Sequence, residues 1–173
     1  RVVVQPGTPC GMCPLCVSGE YIHCEHWQNF EKVTGSPQGL CTMAQYVLKQ
    51  DWLLTPIPAD ISYDLASLAL CALGPTFGAC ELMEVDAFDT VLVTGLGPVG
   101  LGGIVNARYR GARVIGLESN AYRIDLARKL GAADVLDPGD PEAMKKLLDA
   151  THGQGVDKAI DCSGAVPAHK FCL

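Results

Sequence analysis

The sequence predicts an α/β chain in which a doubly wound parallel sheet fills the second half and a smaller, loop-rich lobe rich in cysteine precedes it. Three observations carry this. From Thr90 onward short apolar runs (TVLVT, RVIGLE, ADVLD, VDKAIDCSG) alternate with helical segments, as parallel strands do when helices cover both faces of their sheet. Between the first run and its helix stands GLGPVG, with Gly95, Gly97 and Gly100 in the G-x-G-x-x-G register. Near the start, CGMCPLCVSGEYIHC places Cys10, Cys13, Cys16 and Cys24 in a C-x2-C-x2-C-x7-C spacing.

The cysteine segment is the first element. Gly11, Pro14 and Gly19 are turn formers, so an irregular loop is expected, able to wrap four sulfurs around a tetrahedral zinc ion. Four thiolates leave no open coordination position, which makes such a site structural rather than catalytic. His23 and His26 flank Cys24; a site with a histidine ligand, no metal, or a disulfide pair are the alternatives. The acids Glu20, Glu25 and Glu31 around the loop, without basic residues between them, argue against a nucleic-acid knuckle.

Residues 25–45 carry turn residues such as TGSPQG and read as a long loop entering a strand at 44–48. TPIPAD punctuates the chain. Ser62 is a candidate N-cap for a helix with Leu65, Leu68, Ala69 and Ala72 at helical spacing. Gly74 and Pro75 break it, and a second helix is expected over 76–84. The sheet follows, with four strands before Leu173.

Each glycine of GLGPVG has its own physical reason: Gly95 for a tight turn, Gly97 for close approach to a pyrophosphate, Gly100 for packing of helix on strand. Pro98 and Val99 open the helix, whose N-terminus offers unpaired N–H groups to phosphate. Glu118 ends the second strand, 18 residues after Gly100, where an acid accepts from both adenosine ribose hydroxyls and repels a 2′-phosphate. That favours NAD. Arg123, five residues further on, keeps NADP as the alternative, and a doubly wound domain without ligand is the bland reading.

Composition narrows the function classes. The chain has 173 residues, is 49% hydrophobic and 18% charged, has a mean hydropathy of +0.20 and carries a net charge of −6. An acidic globular chain of this kind is a poor partner for nucleic acid or anionic lipid. No apolar run reaches the roughly 20 residues of a membrane span, and RVVVQPG does not read as a signal peptide, so a cytoplasmic protein is expected. Of nine cysteines, Cys41, Cys71, Cys80, Cys162 and Cys172 are scattered among apolar neighbours, where small buried hydrophobes are expected. His152 and His169 read as solvated.

Cysteine loop, intervening helices and glycine-rich unit, in that order, resemble the zinc-dependent medium-chain dehydrogenase family of alcohol, polyol and threonine dehydrogenases. VVVQPGTPCGMCPLCVSGEYIHC looks like its structural-zinc lobe, and VLVTGLGPVGLGG with VIGLESNAYRIDLARKLGAADVLD like its coenzyme half. The resemblance implies a Rossmann-type doubly wound sheet over 76–173 after part of a GroES-like, zinc-stapled catalytic domain over 1–75. It implies hydride transfer between an alcohol and NAD, a homo-oligomer (dimer or tetramer), and a fragment of a longer enzyme. Cys71, in LALCALGPTFGA, stands where the family has the downstream ligand of its catalytic zinc, whose upstream ligands are absent from this chain. A non-catalytic, zinc-stabilised NAD-binding module is the competing reading. A zinc-independent quinone reductase is disfavoured by the four cysteines.

Overall fold

The computed structural model describes residues 1–37 and 44–172; Cys41 and the end of the TGSPQG segment lie outside the described residues. The chain divides into two units, Arg1–Ser67 and Leu68–Leu173, ahead of the boundary between 75 and 76 that the resemblance implies. The reason is local. Asn106, in the second unit, donates to Leu73 O at 2.9 Å and Thr76 Oγ1 at 2.8 Å, which ties the turn ahead of Gly74 to the coenzyme half.

In the first unit β1 (Val2–Val4) pairs antiparallel with β2 (Leu54–Pro56), Val3 opposite Thr55. The strand expected at 44–48 is not formed: Tyr46 and Leu48 are exposed, and it is β2 that pairs with β1. The cysteine loop is more regular than expected, because Pro14, with its fixed φ, opens the one-turn helix α1 (Pro14–Val17). Within the long loop, Asn29 Oδ1 accepts from Lys32 N and caps α2 (Phe30–Thr34). Ser62 caps as expected: its Oγ accepts from Leu65 N at 3.2 Å, opening α3 (Tyr63–Ser67).

In the second unit Gly74 and Pro75 start a helix rather than only ending one, since proline at the first turn loses no intrahelical bond. That helix is α4 (Gly74–Leu82). There follow β3 (Thr90–Thr94), α5 (Pro98–Tyr109), β4 (Arg113–Leu117), α6 (Ala121–Lys129), β5 (Asp134–Leu136), α7 (Ala143–Ala150), β6 (Lys158–Asp161) and α8 (Val166–Phe171). The four strands are parallel in the order β5-β4-β3-β6. Successive residues of a strand face opposite sides, and the two cores show it. Val91 and Val93 pack with Cys80, Ile104 and Ala107 on one face, while Leu92 and Ile115 pack with Leu136 and Leu147 on the other. Unbroken apolar strands are thereby explained.

No helix among the described residues is long and apolar enough to cross a membrane. Of the scattered cysteines, Cys80 is buried and Cys162 and Cys172 are half-buried, but Cys71 is exposed, on the turn ahead of α4.

Two alanine substitutions should act in opposite directions on unfolding in denaturant. A Cβ on Gly102 would stand 2.1 Å from Ala72 O, whereas Gly78, in α4, has nothing within 4 Å. Gly102→Ala should destabilise by about 1–3 kcal/mol, and Gly78→Ala should stabilise by about 0.5–1 kcal/mol.

Candidate functional site

The structure brings all four loop cysteines together. Their Sγ atoms lie within 4.8 Å of one another, with Cys10 to Cys16 and Cys13 to Cys24 at 4.0 Å. Sulfurs about 2.3 Å from a tetrahedral zinc are separated by about 3.8 Å, so the donor set fits that ion. Backbone N–H groups point at two sulfurs: Met12 and Cys13 donate to Cys10 Sγ at 3.4 Å, and Cys10 and His26 donate to Cys24 Sγ at 3.3 Å. His23 and His26 are exposed and are not in the cluster.

These contacts divide the thiols chemically. The Met12 N–H, then that of Cys13, lowers the Cys10 pKa, and the Cys16 N–H leads in pulling Cys13 down to about 6. Burial pushes Cys16 up to about 12, so a full set of thiolates requires a cation to displace its proton. The lobe is braced from outside by Tyr21 and Trp52, whose rings meet edge to face at 5.4 Å. Trp52 also covers Gly11, where a Cβ would come within 3.1 Å of the indole.

The glycine-rich turn connects β3 to α5 at the carboxyl end of the sheet, where β6 lies beside β3 and the strand order reverses, the place at which open α/β sheets bind ligands. Gly95 has φ +73°, and a Cβ on it would stand 2.5 Å from Ser163 Cα. A Cβ on Gly100 would stand 2.1 Å from Gly95 O. Gly97 differs, having extended backbone (φ −69°, ψ −171°) and open space around its Cβ position. Pro98 is the first residue of α5 and Val99 follows it, so the open space at Gly97 lies against the N-terminus of a helix of 12 residues.

Glu118 reaches this turn from the end of β4. It is 7% exposed; its Oε2 accepts from Leu96 N at 2.9 Å, and its Oε1 from Ser119 N and Asn120 N at 2.9 and 3.0 Å. Burial alone would raise its pKa, but the N–H groups of Asn120, Leu96 and Ser119, with the Arg123 guanidinium, outweigh it and hold the carboxyl below its ordinary value. Arg123 Nη1 lies 3.5 Å from Oε2. Tyr122 and Arg123 line a groove of about 550 Å³ that continues past Gly97 and Pro98 to Leu101 and Leu126.

Sequence reasoning missed a second carboxylate, on the opposite wall. Asp161 Oδ1 accepts from Thr94 Oγ1 and Ser163 Oγ, both at 2.6 Å, and from Ser163 N at 2.9 Å. It thereby clamps the carboxyl ends of β3 and β6 and sets Ser163 against Gly95. The available signal was the polar DCSG run ending an apolar strand. Cys71 is not brought to any group of three or more metal-ligating side chains among the described residues.

Residues 98–173 match the family model for a zinc-binding dehydrogenase. The chain is 34% identical over 161 residues to D-arabitol-phosphate dehydrogenase of Enterococcus avium, spanning 92% of this chain and 44% of that protein. It is 32% identical to sorbitol dehydrogenase of Halalkalibacterium halodurans, spanning 93% of this chain and 46% of that one. A solved NAD-dependent alcohol dehydrogenase superposes with a TM-score of 0.80 at 29% identity, over 98% of this chain and 49% of that one. The chain thus spans about half the length of the curated relatives it matches.

Two outcomes test the site. Chain passed over a chelating resin should keep one zinc, and Cys13→Ser should lower that content with a change in Trp52 emission; full retention would remove Cys13 from the ligand set. Asp161 is held at about 2, against an ordinary 3.8, first by the Ser163 hydroxyl and then by that of Thr94. Because the folded value is the lower one, its contribution is complete above pH ~4 and is lost as pH falls towards 2. The stability cost of Asp161→Asn in urea should therefore shrink over that window.

Proposed function

We propose, for a chain that belongs to the zinc-dependent medium-chain dehydrogenase family, that its second unit binds NAD and its first unit is stapled by zinc, within an enzyme that moves a hydride between an alcohol or polyol and NAD. The observation that carries the reading is Gly97. Its neighbours in the motif are closed in by backbone, yet the space over Gly97 is open, at the place where a pyrophosphate would lie on the α5 N-terminus. Glu118 stands one strand away to take the adenosine ribose. The NAD preference rests on that carboxylate, whose lowered pKa keeps it anionic at neutral pH and hostile to a 2′-phosphate.

The nicotinamide ring supplies the chemistry of accepting a hydride from the alcohol carbon. This chain's residues act earlier, in binding and orientation: Gly97 and the α5 N–H groups fix the phosphates, and Glu118 fixes the ribose. Cys10, Cys13, Cys16 and Cys24 hold the structural zinc and take no part in the reaction. Cys71 is proposed as one ligand of a catalytic zinc, which takes three protein ligands and keeps an open position for substrate. The polyol dehydrogenases among the relatives support a polyhydric or secondary alcohol as substrate class.

One observation favours the second reading, a zinc-stapled NAD-binding module without catalysis: Cys71 is exposed and stands apart from other ligand side chains among the described residues. Formation of NADH from a polyol separates the two.

Gly97→Ala separates binding from folding. Because its Cβ enters open space, the variant should unfold at the same denaturant concentration as the unsubstituted chain while binding NADH about tenfold less tightly, a loss of about 1.4 kcal/mol. Fluorescence titration reads the affinity, and unchanged affinity would sink the placement of the pyrophosphate.

A further inference from the structure

The first unit holds a cavity of its own, of about 260 Å³. Gln28 N donates to Thr8 O at 2.8 Å and Thr8 Oγ1 donates to Gln28 O at 2.7 Å, which fastens those two segments together. Gln50 Nε2 donates to Gln28 Oε1 at 3.1 Å and brings residues 48–50 alongside. Phe30 and Val33, three apart on α2, share a face of that short helix and join Leu48 as the apolar part of the lining. Lys49 is its one charged residue among the described residues. Half-buried, Lys49 enters no ion pair among the described residues, and burial lowers its pKa. Of the three donors on its ammonium, one goes to Gly7 O. Gln28 bonds through Oε1, and its Nε2 donors have no acceptor among the described residues.

A cation held partly out of water without a counter-charge is stabilised by an anion. We propose that this cavity binds a small organic carboxylate, whose oxygens accept from Lys49 Nζ and Gln28 Nε2 and whose hydrocarbon body lies on Phe30, Val33 and Leu48. Charge sets the class. One lysine balances one negative charge, whereas a phosphate monoester brings nearly two and would leave the excess unpaired beside apolar side chains, in a chain whose net charge is already −6. Size agrees: a cavity of about 150 Å³ is enough for benzene, so one of about 260 Å³ takes a ring bearing a carboxylate. The site belongs to the first unit and does not depend on the nucleotide reading of the second.

The test titrates the isotope-labelled, zinc-loaded chain with sodium benzoate and follows the side-chain amide signals of Gln28 and Gln50 by NMR. Benzoate should move both with a Kd on the order of 1 mM. The affinity should be about tenfold weaker in Lys49→Met, the scale of a hydrogen bond to a charged group, and near the unsubstituted value in Lys49→Arg. Benzamide, the uncharged isostere, should bind Lys49→Met and the unsubstituted chain alike. Loss of benzamide together with benzoate in Lys49→Met would mean that the lysine shapes the cavity rather than pairs with the anion, and overturns its assigned role. Equal benzoate affinity in Lys49→Met overturns the proposal, as do shifts confined to Gly97 and the α5 N–H groups, which would put the anion on the helix N-terminus instead. Inorganic phosphate that moves the same two amides at lower concentration than benzoate overturns the choice of a carboxylate.

Discussion

The carboxyl end of β3 is a place where three backbone segments meet with no room for a side chain. Gly95 lies against Ser163 from the end of β6, and Gly100, in the first turn of α5, lies against the carbonyl of Gly95. The chain turns there through the left-handed region, at φ +73°, which glycine alone adopts without strain. From this crowding follow the direction of α5 and the open space over Gly97 at its N-terminus. The sheet order β5-β4-β3-β6 sets the crevice at the reversal point, and the glycines determine how close a ligand approaches.

Two carboxylates hold that crowded turn from opposite sides, by the same physics at different depth. Glu118, nearly buried, bridges the end of β4 to Leu96 N–H inside the turn. Asp161, exposed, bridges the end of β6 to Thr94 at the end of β3. In both, hydrogen bonds to the charged form keep the pKa low, so both walls remain anionic at neutral pH. A ligand here therefore meets positive potential at the α5 N-terminus and negative potential on either side. Phosphates at the centre and neutral hydroxyls at the rim suit that distribution, which is the physical core of the proposed preference for NAD. The cysteine lobe solves a different problem. Among the described residues its unit has only a two-stranded sheet of three-residue strands, and in the proposed reading a zinc ion held by the four cysteines gives the loop its fixed shape.

How much of this the sequence reveals depends on how local the cause is. The parallel strands were legible because burial on both faces leaves unbroken apolar runs, and the glycine and cysteine motifs because each fixes geometry within a few residues. The pairing of Val2–Val4 with Leu54–Pro56 was not, since LTP has neither length nor alternation and its partner is remote. The apolar YVL near residue 46 was misread as a strand for the converse reason: composition favoured one, but among the described residues the segment pairs with no strand. Asp161 escaped notice because a single aspartate after a strand gains meaning only when Thr94 is known to lie beside it. That Glu118 ends the second strand was legible, but not that its carboxylate accepts from Leu96 N inside the glycine-rich turn, which depends on where that turn lies.

The central claim is that the space over Gly97 is the pyrophosphate seat of a dinucleotide. Soaking or co-crystallising the zinc-loaded chain with NADH tests it most directly. The account predicts density for the pyrophosphate on the α5 N-terminus over Gly97, with the adenosine ribose on Glu118. A dinucleotide bound elsewhere, or one whose phosphates avoid Gly97, would contradict it.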